Sequence, residues 1–261
     1  MLSGKIAPDL DAIDMGLDRA GIAELAAVIP VHSHYDHAMD APEVAKRTGA
    51  LLVGSESTAN IGRGWNLPET QIKVPGEGEV LTFGAFNITL VRSKHFTFPG
   101  DLMGSQAAVG ATIDAPLVPP VAVQDYREGG SYSILIEHPS GTALLQGSAG
   151  FIPNGLDHLD VDVLFLGIGG LGSQTKDYQD GYWQHVVTAT NPSLVVPVHW
   201  DSLTHPLSDT PVVANRLWSD VLNFAPKRSI ELVDQKAKKD ELAVRYLPMW
   251  EDVTLFPLTN P

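Results

Sequence analysis

The feature that most constrains this chain is a run of potential metal ligands, Val31-His32-Ser33-His34-Tyr35-Asp36-His37. Three histidines and one aspartate fall within six positions, after an apolar stretch at residues 26–29 that predicts a short buried strand. Neutral imidazole and carboxylate are ligands that zinc and similar cations prefer. The spacing H-x-H-x-D-H lets His32 and His34 share one metal while Asp36 and His37 turn towards a second. Because histidine is a rare residue, a polar loop with coincidental histidines is the weaker interpretation.

Composition limits the class of protein. The chain has 261 residues, 44% of them hydrophobic, which is enough for a sizeable core. The net charge of -14 argues against binding to nucleic acid or to anionic membranes. The absence of cysteine excludes disulfides and thiolate metal sites. No apolar run approaches the length of about 18 residues that a membrane span needs, and residues 1–5 do not form a signal peptide. We therefore expect a cytoplasmic protein, and a targeting signal would have to lie upstream of residue 1.

The stretch His32 to His37 resembles the signature loop of the metallo-β-lactamase-fold hydrolases, and the resemblance covers residues 26–205. It implies an α/β protein, an αβ/βα four-layer sandwich with a metal site at one edge of two sheets. Strands and helices alternate without a break in composition, so residues 1–261 are predicted to form a single hydrolase domain of this type.

The N-terminal part is expected to be shortened. Family members usually begin with several strands, whereas here only residues 1–31 precede the signature loop, and residues 11–20 have helical periodicity. Either the first sheet lacks strands or the chain begins downstream of its natural start. Missing strands would leave an unpaired sheet edge, which a second copy of the chain would cover in a homo-oligomer.

The resemblance also implies the remaining metal ligands. His95, after the strand predicted at residues 86–91, would complete the first site with His32 and His34. His199, after the strand at residues 194–198, would bind the second metal with Asp36 and His37. Ser148 stands where the family normally carries a bridging aspartate, and an uncharged hydroxyl is a much weaker ligand. We therefore expect a second site that is weak, differently coordinated or empty, with Ser148, Asp201 or His205 assisting.

The expected cofactor is zinc, one or two ions per chain, with iron or manganese as alternatives. Such an ion lowers the pKa of a bound water to about 7 and polarises a carbonyl or phosphoryl oxygen. Asp36 would act catalytically by orienting the hydroxide and carrying a proton to the leaving group.

Three alternatives compete with this interpretation. The run from Gly167 to Gly172 matches G-x-G-x-x-G after a strand, which is typical of dinucleotide sites, but the expected helix and acidic residue do not follow; a close-packed turn beside the metal site is the other interpretation. Residues 146–150 resemble the nucleophile elbow of serine hydrolases, with Asp177 and His199 downstream, although position 146 is Gln. Finally, Ser148 is compatible with a non-catalytic binding module that has a degenerate metal site.

The substrate is predicted only as a class. Tyr35 in the signature and a long connection at residues 96–130, interpreted as a lid or substrate wall, resemble the branch of sugar-phosphate lactonases and N-acyl phosphatidylethanolamine phospholipases. That implies cleavage of an ester, lactone, phosphodiester or amide bond in a small molecule, with β-lactam hydrolysis as an alternative. Core packing explains each of several aromatic residues at least as well, but together they favour an apolar or amphipathic substrate over a highly charged one. Lys94 and Arg127 would meet one carboxylate or phosphate. The aromatic residues are Tyr35, Trp65, Phe96, Phe98, Tyr126, Trp183 and Trp200.

Periodicity predicts further elements. Helices are expected at residues 42–48, at 55–60 with Gly62 and Gly64 closing the helix, at 178–190 and at 211–223. Strands are expected at residues 51–53, 71–74, 79–83, 86–91 as an edge, 132–137, 142–146, 161–166, 194–198, 229–233 and 242–247.

Overall fold

A computed structural model describes residues 4–97, 109–201 and 225–256. The chain divides into two compact units: an N-terminal unit of Met1–Glu79 with Ala107–Ser131, and a C-terminal unit of Val80–Gln106 with Tyr132–Pro261. The single-domain organisation of residues 1–261 stays a prediction. Within the described ranges no helix combines the length and the apolar character needed to cross a membrane.

The N-terminal unit contains a three-stranded parallel sheet in the order β2-β3-β4, and a two-stranded antiparallel pair of β1 with β7. Four α-helices accompany these strands. The predicted helix at residues 11–20 and strand at 26–29 are confirmed. The elements are β1 (Lys5–Ile6), α1 (Leu10–Arg19), β2 (Ala27–Val28), α2 (Tyr35–Ala38), α3 (Ala41–Thr48), β3 (Leu51–Val53), α4 (Glu56–Gly64), β4 (Ile72–Lys73) and β7 (Val121–Ala122).

Helix α4 begins where predicted. Ser55 caps it, because the Ser55 Oγ accepts the Thr58 N–H at 3.2 Å. Gly62 lies within the helix and Gly64 is its last residue, so the predicted end is confirmed at Gly64 and was wrong at Gly62. A Cβ on Gly62 would meet the Leu52 side chain at 2.8 Å, and one on Gly64 would meet the Leu117 carbonyl oxygen at 1.9 Å. Both glycines therefore allow close packing.

The C-terminal unit contains a seven-stranded sheet in the order β12-β11-β10-β9-β8-β6-β5. The strands β9, β10, β11 and β12 are mutually parallel, while β5, β6, β8 and β9 pair antiparallel. The predicted hairpin of β8 and β9 is confirmed. The elements are β5 (Val80–Phe83), β6 (Phe86–Arg92), β8 (Tyr132–His138), β9 (Gly141–Gln146), β10 (Val163–Gly167), α5 (Lys176–Tyr182), β11 (Leu194–Val198), α6 (Pro226–Lys239) and β12 (Ala243–Val244).

Two predictions were wrong in this unit. Strand β6 is not an edge, since it lies between β5 and β8. Residues 229–233 are not a strand but part of helix α6, whose buried residues Ser229, Val233 and Ala237 recur every fourth position along one face. The helix expected at 178–190 is confirmed, although its second half, Trp183–Thr188, is π-helical. The helix predicted at 211–223 lies outside the described residues.

Candidate metal centre

The signature loop of the N-terminal unit brings three imidazole rings together. It follows β2, and His34 stands immediately before helix α2. His32 is 1% exposed, and its ring centroid lies 4.7 Å from that of His34 and 4.1 Å from that of His37. The potential ligand atoms of His32 and His34 lie within 4.8 Å of each other. Two rings at this spacing fit a shared cation.

Asp36 and His37 form the second half of the loop. The Asp36 Oδ2 lies 3.4 Å from the His37 Nε2, and the side chains are 14% and 17% exposed respectively. Burial, with a smaller contribution from the Asp36 carboxylate, raises the pKa of Tyr35. Tyr35 therefore stays neutral near pH 7, and Asp36 is the anionic group in this stretch of the loop.

Ser33 connects the loop to the rest of the N-terminal unit. Its N–H donates to the Glu128 carbonyl oxygen at 2.8 Å, and its buried Oγ lies 2.9 Å from the Thr58 Oγ1. Gly129 has a left-handed φ of 68°, and a Cβ there would lie 2.3 Å from the Ser57 Cβ. Ser33, which lies between His32 and His34, is therefore held through both its backbone and its side chain.

In the C-terminal unit, the carboxyl ends of β6, β9, β10 and β11 meet at one edge of the sheet, as their pairings require. His95 lies just beyond β6. Its Nδ1 is 2.6 Å from the Phe96 carbonyl oxygen. Because a carbonyl oxygen only accepts, this contact places the proton on Nδ1, which makes Nε2 the ring nitrogen that carries a lone pair for coordination.

Ser148 follows β9 at the same edge. Its Oγ accepts the Phe96 N–H at 3.4 Å, and the residue is 7% exposed. A serine nucleophile needs an exposed hydroxyl on a sharp turn. The serine-hydrolase alternative therefore gains no support from the position of Ser148.

His199 follows β11 and adopts a left-handed backbone conformation with φ of 61°, which is uncommon for a non-glycine residue. Its ring packs directly on Gly169, where a Cβ would lie 2.3 Å from the His199 Nδ1. In the same run, a Cβ on Gly170 would lie 2.6 Å from the Phe96 ring. These contacts explain the G-x-G-x-x-G pattern as close packing around two candidate ligand segments, without a dinucleotide.

The remaining predicted site residues are less informative. Asp201, Lys94 and Arg127 are exposed, while His205 and Phe98 lie outside the described residues. Tyr126, Trp183 and Phe96 are only 3%, 5% and 6% exposed and belong to hydrophobic cores, so they do not support the argument for an apolar substrate.

Sequence reasoning gave no role to Gln146, which is 1% exposed. Its amide forms hydrogen bonds with four different residues, Ser93, Ser133, Ser148 and Gly150. The available signal was a polar residue that ends the apolar strand β9, directly before the loop of Ser148.

No family model and no curated protein matches this chain. Among solved structures, a metallo hydrolase from Ignicoccus hospitalis is similar over 88% of this chain and 79% of the other, with a TM-score of 0.52 and 16% identity. CmlA, a diiron β-hydroxylase from Streptomyces venezuelae, is similar over 87% of this chain and 44% of its own, with a TM-score of 0.53 and 13% identity.

The chain has the metallo-β-lactamase fold. At these identities the likeness concerns the fold alone. The predicted α/β class of the metallo-β-lactamase type is thereby confirmed, while its four-layer arrangement and the assignment of individual ligands stay predictions.

Proposed function

We propose that this protein is a metal-dependent hydrolase. The observation that carries the proposal is the signature loop, where the His32 ring contacts those of His34 and His37, and the Asp36 carboxylate lies beside His37. The family resemblance groups His32 and His34 with His95, and Asp36 and His37 with His199. We assign the first group to one divalent cation and the second group to another.

The donor atoms fit such cations. Nitrogen ligands from three histidines are a common catalytic zinc set, and a carboxylate with two histidines suits zinc, iron or manganese. The Nδ1 contact of His95 with a backbone carbonyl is the orienting bond that metal-binding histidines usually make. For the second group, the packing of His199 on Gly169 restricts where its ring lies.

The metal identity is the open choice within this proposal. Zinc is our first expectation because the first group contains only imidazoles. Iron is the alternative, since CmlA, which shares the fold, is named a diiron enzyme. In either case, the bound metal would lower the pKa of a bound water molecule and polarise the carbonyl or phosphoryl oxygen of the substrate.

Asp36 is the residue to which we assign proton transfer. Its carboxylate is the anionic group of the loop, and its Oδ2 lies 3.4 Å from the His37 Nε2. A carboxylate in this setting accepts a proton from the attacking water and returns it to the leaving group. Ser148 brings no charge, so we expect the second cation to bind more weakly than the first.

The substrate proposed is a small molecule with an ester, lactone, phosphodiester or amide bond. The net charge of -14 supports this class, because it disfavours polyanionic substrates. A genuine β-lactam is a narrower alternative within the same chemistry.

The test begins with the purified full chain, in which zinc, iron and manganese are quantified together by plasma mass spectrometry. A panel of lactones, phosphodiesters, esters and a cephalosporin reporter is then assayed with and without a chelator. We expect one or two metal equivalents, and hydrolysis of at least one panel member that chelation abolishes and the metal restores.

The other outcomes separate the alternatives. Hydrolysis that survives chelation and is lost in Ser148→Ala would contradict the metal mechanism. A chain that stays metal-free after incubation with each ion would overturn the proposal. Full metal loading without any hydrolysis across the panel would favour a binding module.

A further inference from the structure

The side chain of Gln146 connects two segments of the C-terminal unit. It contacts the side chain of Ser93, which follows β6, and the backbone of residues 148–150, which follow β9. Its Nε2 donates to the carbonyl oxygens of Ser148 at 3.0 Å and Gly150 at 2.7 Å, and lies 3.1 Å from the Ser93 Oγ. Its Oε1 accepts a hydrogen bond from the Ser133 hydroxyl. A primary amide has two N–H donors, which the two carbonyls occupy, and its oxygen has two lone pairs, so the Ser93 hydroxyl is bound by donating to Oε1 at 3.4 Å.

The two segments that Gln146 joins are in direct backbone contact. A Cβ on Gly150 would lie 1.8 Å from the Lys94 carbonyl oxygen and 2.6 Å from the His95 carbonyl carbon. The Phe96 N–H donates to the Ser148 Oγ in the same region. The residues on either side of His95 therefore lie against the loop that Gln146 holds.

Two tyrosines hold the other side of this loop. The Tyr182 hydroxyl shares its single proton between the carbonyl oxygens of Gly167 at 2.7 Å and Ser148 at 3.2 Å, and the Tyr178 hydroxyl donates to that of Ala149 at 3.1 Å. Burial raises the pKa of Tyr178 to about 12 and that of Tyr182 well above its ordinary value, so both remain donors. The loop is thus fixed by neutral protein groups on both sides.

We propose that Gln146 is a positioning residue for His95. By joining Ser93 to residues 148–150, it fixes the backbone that carries His95 and so presets the direction of its imidazole. This role rests on the proposed metal-binding function of His95. The family resemblance implies a metal-binding carboxylate at position 148, where this chain has serine. In this proposal, hydrogen bonds from the uncharged Gln146 amide hold the loop in place of a carboxylate–metal bond.

The chemistry makes Gln146 hard to replace. Glu has nearly the same shape and keeps an acceptor for Ser133, but it turns a carboxylate oxygen towards the carbonyls of Ser148 and Gly150. Met has a similar volume and removes every hydrogen bond. Both changes leave buried polar groups without their partner, which weakens the attachment of the loop.

The experiment measures zinc affinity of the full chain by competition with a chromogenic chelator, for the wild type, Gln146→Met and Gln146→Glu. We expect the zinc affinity of the tighter site to fall by about 10–100-fold in Gln146→Met, as for other residues that orient a metal ligand. The loss in Gln146→Glu should be at least as large. Hydrogen exchange of the metal-free proteins is measured in parallel. Residues 93–97 and 147–150 should exchange faster in both variants.

The matched control is Thr190→Val, which removes a buried hydroxyl that donates to the Val186 carbonyl oxygen at 2.7 Å, in the same unit. It should lower the denaturation midpoint without changing zinc affinity or exchange at residues 93–97. Wild-type affinity in Gln146→Met, or slow exchange at residues 93–97 in that variant, would overturn the proposal while leaving the hydrolase function intact. A wild-type chain that binds no zinc would overturn both.

Discussion

In the N-terminal unit, four candidate ligands lie on one loop of six residues, His32 to His37. In the C-terminal unit, His95 and His199 follow strands β6 and β11, which are separated in the sheet by β8, β9 and β10. The first arrangement depends on local chain geometry. The second depends on the register of a whole sheet, because the ends of distant strands must come to the same edge.

The two units also hold their ligands by different means. Hydroxyl groups around Ser33 and the backbone of Glu128 support the signature loop. In the C-terminal unit, the ring of the candidate ligand His199 packs on Gly169, and we propose that the amide of Gln146 positions His95. A defect in the first unit should therefore affect several ligands together, whereas a defect in the second should affect one ligand at a time.

The largest effect is expected from His34→Ala. It removes a direct ligand in our assignment, so zinc affinity should fall by more than the roughly 100-fold upper end for outer-shell partners. Hydrolysis should be lost with it, as measured by chelator competition and by the substrate panel. His158→Ala, an exposed histidine in the C-terminal unit, is the control and should change neither quantity. Equal behaviour of the two variants would contradict the role of the signature loop.

Gly169→Ala tests whether displacing one candidate ligand of the C-terminal unit, His199, weakens the binding of only one metal ion. The new methyl group would lie 2.3 Å from the His199 Nδ1, so the ring must move. We expect the weaker metal equivalent to lose about 10–100-fold in affinity while the tighter one is retained. Isothermal titration of metal-free protein with zinc separates the two steps.

The control for that variant is Gly16→Ala in helix α1, where a Cβ meets nothing within 4 Å. It should stabilise the protein by about 0.5–1 kcal/mol without any change in metal binding. Loss of both metal equivalents in Gly169→Ala would show that the C-terminal ligands do not act independently.

The same contrast explains what the sequence alone predicts. The signature loop and the neighbouring elements β2, α3 and β3 could be predicted, because residue spacing within short stretches indicates them. Residues that end an element help as well, such as Gly49, which caps α3. Strand β11 and its following His199 were also recognisable, because a buried run and a family position coincide. The sheet order was not, since nothing local indicates that β6 is internal.

The errors have physical causes as well. Residues 229–233 alternate partly apolar side chains like a strand, but Pro226 starts a helix there and tertiary packing buries every fourth residue. Gly62 was interpreted as a helix end, although it lies within α4, where a Cβ would meet the Leu52 side chain. The role of Gln146 could not be predicted because two of its four partners, Ser93 and Ser133, are distant in sequence.

Ser33→Ala tests the shared support of the signature loop. It removes the hydroxyl that lies 2.9 Å from the Thr58 Oγ1 and 3.3 Å from the Ser55 Oγ, in a fully buried position. We expect a loss of about 1–2 kcal/mol in the free energy of unfolding. Both metal equivalents should weaken, by about tenfold, because the same loop carries His32 and His34 of the first group and Asp36 and His37 of the second.

Thr48→Val separates stability from ligand support in the same unit. Its Oγ1 donates to the Val44 carbonyl oxygen at 2.7 Å, away from the loop. Urea denaturation should show a loss similar to that of Ser33→Ala, with unchanged zinc titration. If Thr48→Val weakened metal binding equally, the effect of Ser33 would reflect global stability alone.

The smallest effect is expected from Ser148→Ala. The hydroxyl accepts the Phe96 N–H at 3.4 Å, so its removal should cost about 1 kcal/mol of stability or less. We assign neither the nucleophile nor a strong metal bond to Ser148, so kcat and zinc affinity should change by less than about threefold. A larger change would correspond to the free energy of a whole hydrogen bond, about 1 kcal/mol. The backbone carbonyl of Ser148, which Gln146 and Tyr182 hold, is unaffected by the substitution. Complete loss of hydrolysis with metal still bound would instead make Ser148 the nucleophile, and the C-terminal unit would then supply the chemistry that we place on the signature loop.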